Sequence, residues 1–482
     1  MEQNIKSKAV SGFIWRLFQN AGTQIISFVI SIILARILTP SDYGIIAMIT
    51  VFTNIAMVFI NTGFSSAIVQ KKELSDTDKS TMFFAGFMLS LVLYSILFFT
   101  APYIAIFYKE PKLIDLLRVE SLIIVIGALS SVHRALVTRE MKFKKSFFAS
   151  LYGAIAHGVS GIAFAMLGFG PWALVLSAII NYLASGIVFW CKVDWRPKFT
   201  FSFVSFRNMF SFSVKMLFSG LLDSVFNNIR SIIIGRQYSS ADLAYYNRGY
   251  QFPSLVMTQV DGAITTVLFS SLSKYQSDWE NGLRVMRRAM KTSLYVCTPL
   301  MAGLCAVADP MIRILLTDKW EQSIPYVRLA AIICAFWPLS SQRHALNSLG
   351  KSGISLRQNM IGKAVTLVLL LLTYRHSVML MIASSILGSC ICLVINAFVY
   401  RKHLNYQFKH QISDILPTIL LSAVMGFATY SVMFLNLNSV LTLVIQIPLG
   451  ILIYVLGSMI FKFDSFYYVL DIIKNLFGKR KA

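Results

Sequence analysis

The sequence predicts an all-α, polytopic membrane protein of about 14 transmembrane helices, built as two six-helix repeat lobes plus a C-terminal helix pair. Three observations carry this. The first is composition: 56% of the 482 residues are hydrophobic, only 13% are charged, and mean hydropathy is +0.67. Soluble domains carry about a quarter of charged residues. The second is a series of apolar runs of about 20 residues, each long enough to cross a ~30 Å hydrocarbon core as a helix. The third is an internal repeat. Leu34-Ala35-Arg36 to Asp42 returns as Ile234-Gly235-Arg236 to Asp242, an offset of about 200 residues. Ala101-Pro102-Tyr103-Ile104 returns as Asp309-Pro310-Met311-Ile312. Leu117-Arg118-Val119 matches Val327-Arg328-Leu329, Leu129-Ser130-Ser131 matches Leu339-Ser340-Ser341, and Ala135-Leu136 matches Ala345-Leu346. An ordered series at nearly constant offset is more than chance gives a Leu/Ile-rich chain.

In the first lobe, 1–191, the runs place spans near 12–34, 43–62, 81–107, 114–132, 148–168 and 172–191. The connector 192–210 is basic, aromatic and interrupted by Pro197, which suits a segment along the headgroup layer. The second lobe, 211–400, has spans near 211–234, 251–271, 292–316, 325–344, 359–375 and 378–400. The extra pair, 401–461, holds spans near 414–435 and 439–461. The tail, 462–482, alternates Phe463, Phe466, Tyr467, Leu470 and Ile473 with polar residues and ends on Lys479-Arg480-Lys481, a surface-lying anchor. The stretch from Lys274 to Lys291, with Trp279, Leu283, Met286 and Met290 among its arginines, has the same character.

A net charge of +23 invites a nucleic-acid reading, and its distribution removes it. With alternate loops on opposite sides, one set holds about 29 Lys/Arg and the other about 7, with about 8 inside spans. That bias puts the protein in the cytoplasmic membrane with both termini in the cytoplasm, its basic loops on anionic membrane lipids and not on nucleic acid. No cleavable signal peptide is visible, because the first apolar stretch is too long and too polar. The six cysteines and six histidines show no metal spacing, and Gly-rich phosphate loops are missing. Loops too short for a catalytic domain predict no enzyme and no cofactor.

What remains is polar chemistry inside spans, which is costly there. The first span carries Arg16, Asn20, Thr23, Ser27 and Ser31 on one face, and the second offers Asn54 and Asn61. The seventh carries Lys215 and, on one stripe, Asp223, Asn227 and Arg230; the eighth carries Asp261. With Arg118 and Arg328 these are the candidate residues of a translocation cavity. Helix–helix hydrogen bonding explains the Ser and Thr positions equally well. Charges are harder to explain so, and the excess of embedded Arg and Lys gives a positive potential suited to phosphate or acidic sugars. Arg36, Asp42, Arg236 and Asp242 are expected to cap and fix two outer turns.

Resemblance adds to this. Ser11-Gly12-x-x-Trp15 and the run from Leu34 to Gly44 resemble the start of polysaccharide exporters of the multidrug/oligosaccharidyl-lipid/polysaccharide exporter superfamily. Ser65 to Lys72, Arg134-Ala135-Leu136 to Phe143, Tyr245-Tyr246-Asn247-Arg248-Gly249 to Pro253, and Lys319-Trp320-x-x-Ser323-Ile324-Pro325 also look like that family, closest to its colanic and teichuronic acid branch. The resemblance implies a flippase for undecaprenyl-pyrophosphate-linked oligosaccharide units, working by alternating access of two lobes around a basic cavity. Its implied partners are that polyprenyl pyrophosphate glycan, a polysaccharide polymerase and other assembly proteins. Two other readings stay open. A cation-coupled drug exporter of the same superfold would want an acid-rich cavity, and a polymerase or ligase of lipid-linked sugars would not need the repeat.

Overall fold

The computed structural model describes residues 2–71, 73–272 and 279–478. Among the described residues there is no strand, and the chain forms two compact units, Met1–Ala244 and Tyr245–Ala482. The division falls inside a helix, so the unit boundary does not coincide with the 192–210 connector.

The first unit opens with α1 (Glu2–Ile37) and α2 (Pro40–Val58), which runs through one π-helical segment (Phe59–Phe64) into α3 (Ser65–Gln70). The third expected span is α4 (Asp76–Tyr108). The fourth is broken into α5 (Leu113–Glu120), α6 (Leu122–Leu129) and α7 (Ser131–Arg139). Then come α8 (Phe143–Met166), α9 (Pro171–Lys192) and α10 (Phe203–Gln237), and the first residues of α11 (Ser240–Leu272). The second unit continues with α12 (Trp279–Leu316) and α13 (Ile324–Ala335), a 3-10 turn, and α14 (Ser341–Ser348). It closes with α15 (Ser352–Thr373), α16 (Val378–Leu404), α17 (Phe408–Ser431), α18 (Ser439–Ile460) and α19 (Asp464–Gly478).

The expected spans thus fall on helix, and among the described residues ten helical stretches are long and apolar enough to cross a membrane. The chain is a multi-pass membrane protein. α10 stays outside those ten because Asp223, Asn227, Asn228 and Arg230 dilute its apolar content. Large apolar side chains stand exposed on α15 to α18, such as Val368, Val394, Phe427, Val444 and Ile451. A soluble protein could not carry so wide an apolar band, and lipid accounts for it.

The repeat extends to the irregularities. Pro102 lies inside α4 and Pro310 inside α12. The two halves of the Ser-Ser repeat both begin a new helix, α7 at Ser131 and α14 at Ser341. At the breaks in the first unit serines bond their own backbone, with Ser121 Oγ donating to the Arg118 carbonyl (3.0 Å) and Ser131 Oγ to that of Ala128 (2.8 Å).

The basic loops gather at one end of each unit. In the first, Lys71 pairs with Asp78 (2.6 Å), and Arg139 donates to the Ile68 carbonyl (2.7 Å). The connector is folded against this end. Trp190 Nε1 donates to the Leu129 carbonyl (3.0 Å), the His133 ring lies tilted against Trp190 (4.7 Å between centroids), and the Lys198 and Ser202 amides donate to Ser80 and Thr81. In the second unit the matching end holds Arg287 and Lys291 on Asp414, and Lys351 on the His403 carbonyl.

Candidate functional site

The two repeated Arg/Asp motifs are helix starts of the same design. In the first, the Thr39 amide and hydroxyl donate to Asp42 Oδ2 (3.0 and 2.7 Å), while the Asp42 amide donates back to Thr39 Oγ1 (3.3 Å). In the second, the Ser239 amide and hydroxyl donate to Asp242 Oδ2 (3.1 and 2.6 Å), and the Asp242 amide donates to Ser239 Oγ (3.1 Å). Each is a reciprocal capping box that satisfies amides the helix leaves free. The turns also meet: Ser41 and Ser240 hydroxyls lie 2.9 Å apart, and a Cβ on Gly44 would overlap the Ser240 carbonyl. Only glycine lets α2 approach this closely. Arg236 lies over the Phe107 ring (5.2 Å), and Arg36 is exposed on the last turn of α1.

Below those turns α10 packs along α2, with Gly220 facing Val58 and Thr62. At about 1.5 Å per residue, Asn54 lies roughly 21 Å from the start of α2, and Asp223 roughly 21 Å from the end of α10. Asn54, Asn61, Asp223 and Asn227 are all exposed, and Arg230 is half-buried on the same stripe of α10. The first unit therefore presents polar side chains from two adjoining helices at matched depth. Arg16, Asn20, Lys215 and Asp261 lie on α1, α10 and α11, and their side chains fall outside the described residues.

Behind Asn61 lies a second layer that the spacing of polar residues did not single out as a site. Arg134 on α7 donates to Asn61 Oδ1 (3.4 Å) and to the Gly127 carbonyl (2.8 Å). Tyr182 on α9 is within electrostatic range of both Arg134 and the buried Glu120. The sequence signal was present, since Arg134 opens one of the family-like motifs, but its contact with Asn61 needed the fold.

Arg118 and Arg328 each lie against an aromatic ring in their own unit. Arg118 lies on the Phe98 ring (4.5 Å), and its Nε donates to the Phe98 carbonyl (3.4 Å). Arg328 lies over Tyr430 (5.2 Å) in the second unit, beside Met433. It borders a recess of about 760 Å³ that also holds Asp318 and Glu321, which pair with Arg313 together with Asp309. Both arginines are at the end of their unit opposite the basic loops. Among the described residues no three His, Cys, Asp or Glu side chains are placed to hold a metal.

A family model described as polysaccharide biosynthesis protein matches residues 33–325. The teichuronic acid biosynthesis protein TuaB of Bacillus subtilis is 25% identical over 337 residues, 68% of this chain and 69% of the relative. The succinoglycan biosynthesis transport protein ExoT of Rhizobium meliloti is 28% identical, covering 69% and 67%. The lipopolysaccharide biosynthesis protein WzxC of Escherichia coli is 23% identical, covering 68% of each. Among solved structures, the lipid II flippase MurJ in an inward closed conformation superposes with a TM-score of 0.74 at 18% identity, over 94% of this chain and 98% of that one. An inward-facing multidrug transporter of the MATE family follows at 0.66 and 14%, over 79% and 94%. These two establish a shared fold. The family model covers more than half of the sequence, and the chain belongs to the polysaccharide biosynthesis protein family.

Proposed function

We propose that this protein is a flippase that moves polyprenyl-pyrophosphate-linked oligosaccharide units across the cytoplasmic membrane for surface polysaccharide assembly. The observation that carries this reading is the exposed polar strip of Asn54, Asn61, Asp223, Asn227 and Arg230 at membrane depth. Amides and charges gathered inside a span are costly, and such groups mark substrate pathways. The Arg230 guanidinium suits a two-pronged contact with a pyrophosphate or acidic sugar, and the amides suit sugar hydroxyls. The cargo's apolar tail stays in lipid. Arg16, Asn20 and Lys215 extend this strip in the proposal, and Arg118, Asp261 and Arg328 are further proposed cargo contacts. The names of TuaB and ExoT support the cargo class, and the fold shared with a lipid II flippase supports the transport of a lipid-linked sugar. The role is transport, with no chemical step, and both termini lie in the cytoplasm beside the basic loops.

Complementation tests it. A strain lacking its own flippase, supplied with defined oligosaccharide precursors, should recover surface polysaccharide when this chain is expressed. A chain that inserts normally yet restores none of a panel of lipid-linked precursors would sink the reading.

A further inference from the structure

At the basic end of the second unit, α12 carries Arg284, Arg287, Arg288 and Lys291 at spacings of three and four, on one face. Two of these cations are already spoken for. Arg287 Nε and Nη2 donate to the Asp414 carboxylate (2.6 and 2.9 Å), Lys291 Nζ pairs with it at 2.9 Å, and the Tyr406 hydroxyl donates to it at 2.7 Å. The other two have no such partner. Among the described residues, neither Arg284 nor Arg288 has a carboxylate within ion-pair distance; Arg288 instead lies 4.2 Å over the Tyr468 ring of α19.

These groups border a recess of about 460 Å³ between α12 and α19, whose far wall holds Asp464 and Asp471. Against the four cations stand Asp414, Asp464 and Asp471, which leaves one positive charge in surplus. That matches the single negative charge of a phosphodiester. The Tyr468 ring holds the Arg288 guanidinium at the wall of this recess.

The surroundings say where such a phosphate comes from. The lipid-facing side of α18 runs to Ile460 and Phe461, 73% and 71% exposed, and α19 starts three residues later at Asp464. Phe466 of α19 is buried in a cluster with Tyr295, Leu421 and Tyr454, so α19 is packed onto the bundle and lies where its apolar side gives way to charge. That transition is the phosphate layer of a bilayer.

We propose that the α12–α19 recess binds the headgroup phosphate of one anionic phospholipid, with Arg284 and Arg288 as the contacts that hold it. Phosphate alone, from solution, is the competing source of the same chemistry.

The test uses the full purified chain in nanodiscs containing phosphatidylglycerol or only phosphatidylcholine, with retained lipid read by native mass spectrometry. The wild type should keep one phosphatidylglycerol and no phosphatidylcholine. Removing two basic contacts in R284Q/R288Q should weaken retention roughly tenfold or more. D464N/D471N, which removes the opposing charge, should strengthen it several-fold, a gain that misfolding cannot imitate. Equal retention by R284Q/R288Q, or no gain in D464N/D471N, would overturn the site. Loss of the lipid to millimolar inorganic phosphate, with the ion bound in its place, would overturn the lipid as its occupant.

Discussion

Arg230 concentrates the functional question into one side chain. It sits half-buried on the α10 stripe with exposed Asp223 and Asn227, and in the proposed reading it meets the cargo; Arg118 and Arg328 lie against aromatic rings. Arg230→Ala should therefore abolish polysaccharide export at normal membrane abundance, and Arg230→Lys should keep part of it, since charge survives and the planar fork does not. Arg118→Ala and Arg328→Ala should lower export less than Arg230→Ala and lower thermal stability more, because each loses a packing contact. Export in the complemented strain and thermal unfolding in detergent separate the two effects. Wild-type export from Arg230→Ala would move this residue from the cargo path to helix packing. At this scale the sequence was legible only in part. Polarity inside an apolar run marks a residue as costly, but whether an embedded arginine faces cargo or a neighbouring ring depends on the helix beside it. Arg118 needed Phe98, twenty positions away, to be understood; Arg134 needed Asn61.

Helices were legible where their ends carry chemistry. The Arg/Asp repeat marked two turns, and the structure builds a reciprocal capping box at each, with hydrogen bonds that differ by no more than 0.2 Å between copies. Thr39→Ala and Ser239→Ala should each cost about 1 kcal/mol, the usual worth of an N-cap. Nearly equal drops in the thermal midpoint would reflect that matched geometry, and a drop at one site alone would mean that only one cap matters to stability. The fourth span of the first unit was legible as apolar but not as broken. Its fragments, α5, α6 and α7, keep a helical apolar period, so periodicity reads one run from 114 to 132. At the breaks Ser121 and Ser130-Ser131 turn to carbonyls three residues back, a local bonding that hydropathy does not register. The Ser-Ser pair recurs at Ser340-Ser341, where α14 starts, so the repeat itself pointed to the second break.

For the whole molecule, the bias in loop charge is the strongest statement the sequence makes, and each unit groups its loops accordingly. In the first, the basic segments around Lys71, Arg139 and Lys198 bond to one another's elements at one end, while the Thr39 and Ser239 turns share the other. In the second, Arg287 and Lys351 lie at one end of the bundle, and α12 carries the chain across to Arg313 and Asp318 at the other, 26 residues or about 39 Å beyond Arg287. The proposed orientation puts the basic ends in the cytoplasm, because Lys and Arg in short loops resist translocation. In a variant without its six native cysteines, single cysteines at the exposed positions Lys109 and Asp318 should react with an impermeant maleimide added to intact cells. Cysteines at Lys144 and Arg288, also exposed, should react only after permeabilisation. Each unit is tested separately, since Lys109 and Lys144 belong to the first and Asp318 and Arg288 to the second. Agreement in one unit and reversal in the other would mean that the repeats insert with opposite orientations. Reversal in both would place the arginines of α12 outside the cell, against an outer phosphate layer, and would invert the direction from which the proposed cargo reaches its proposed contact at Arg230.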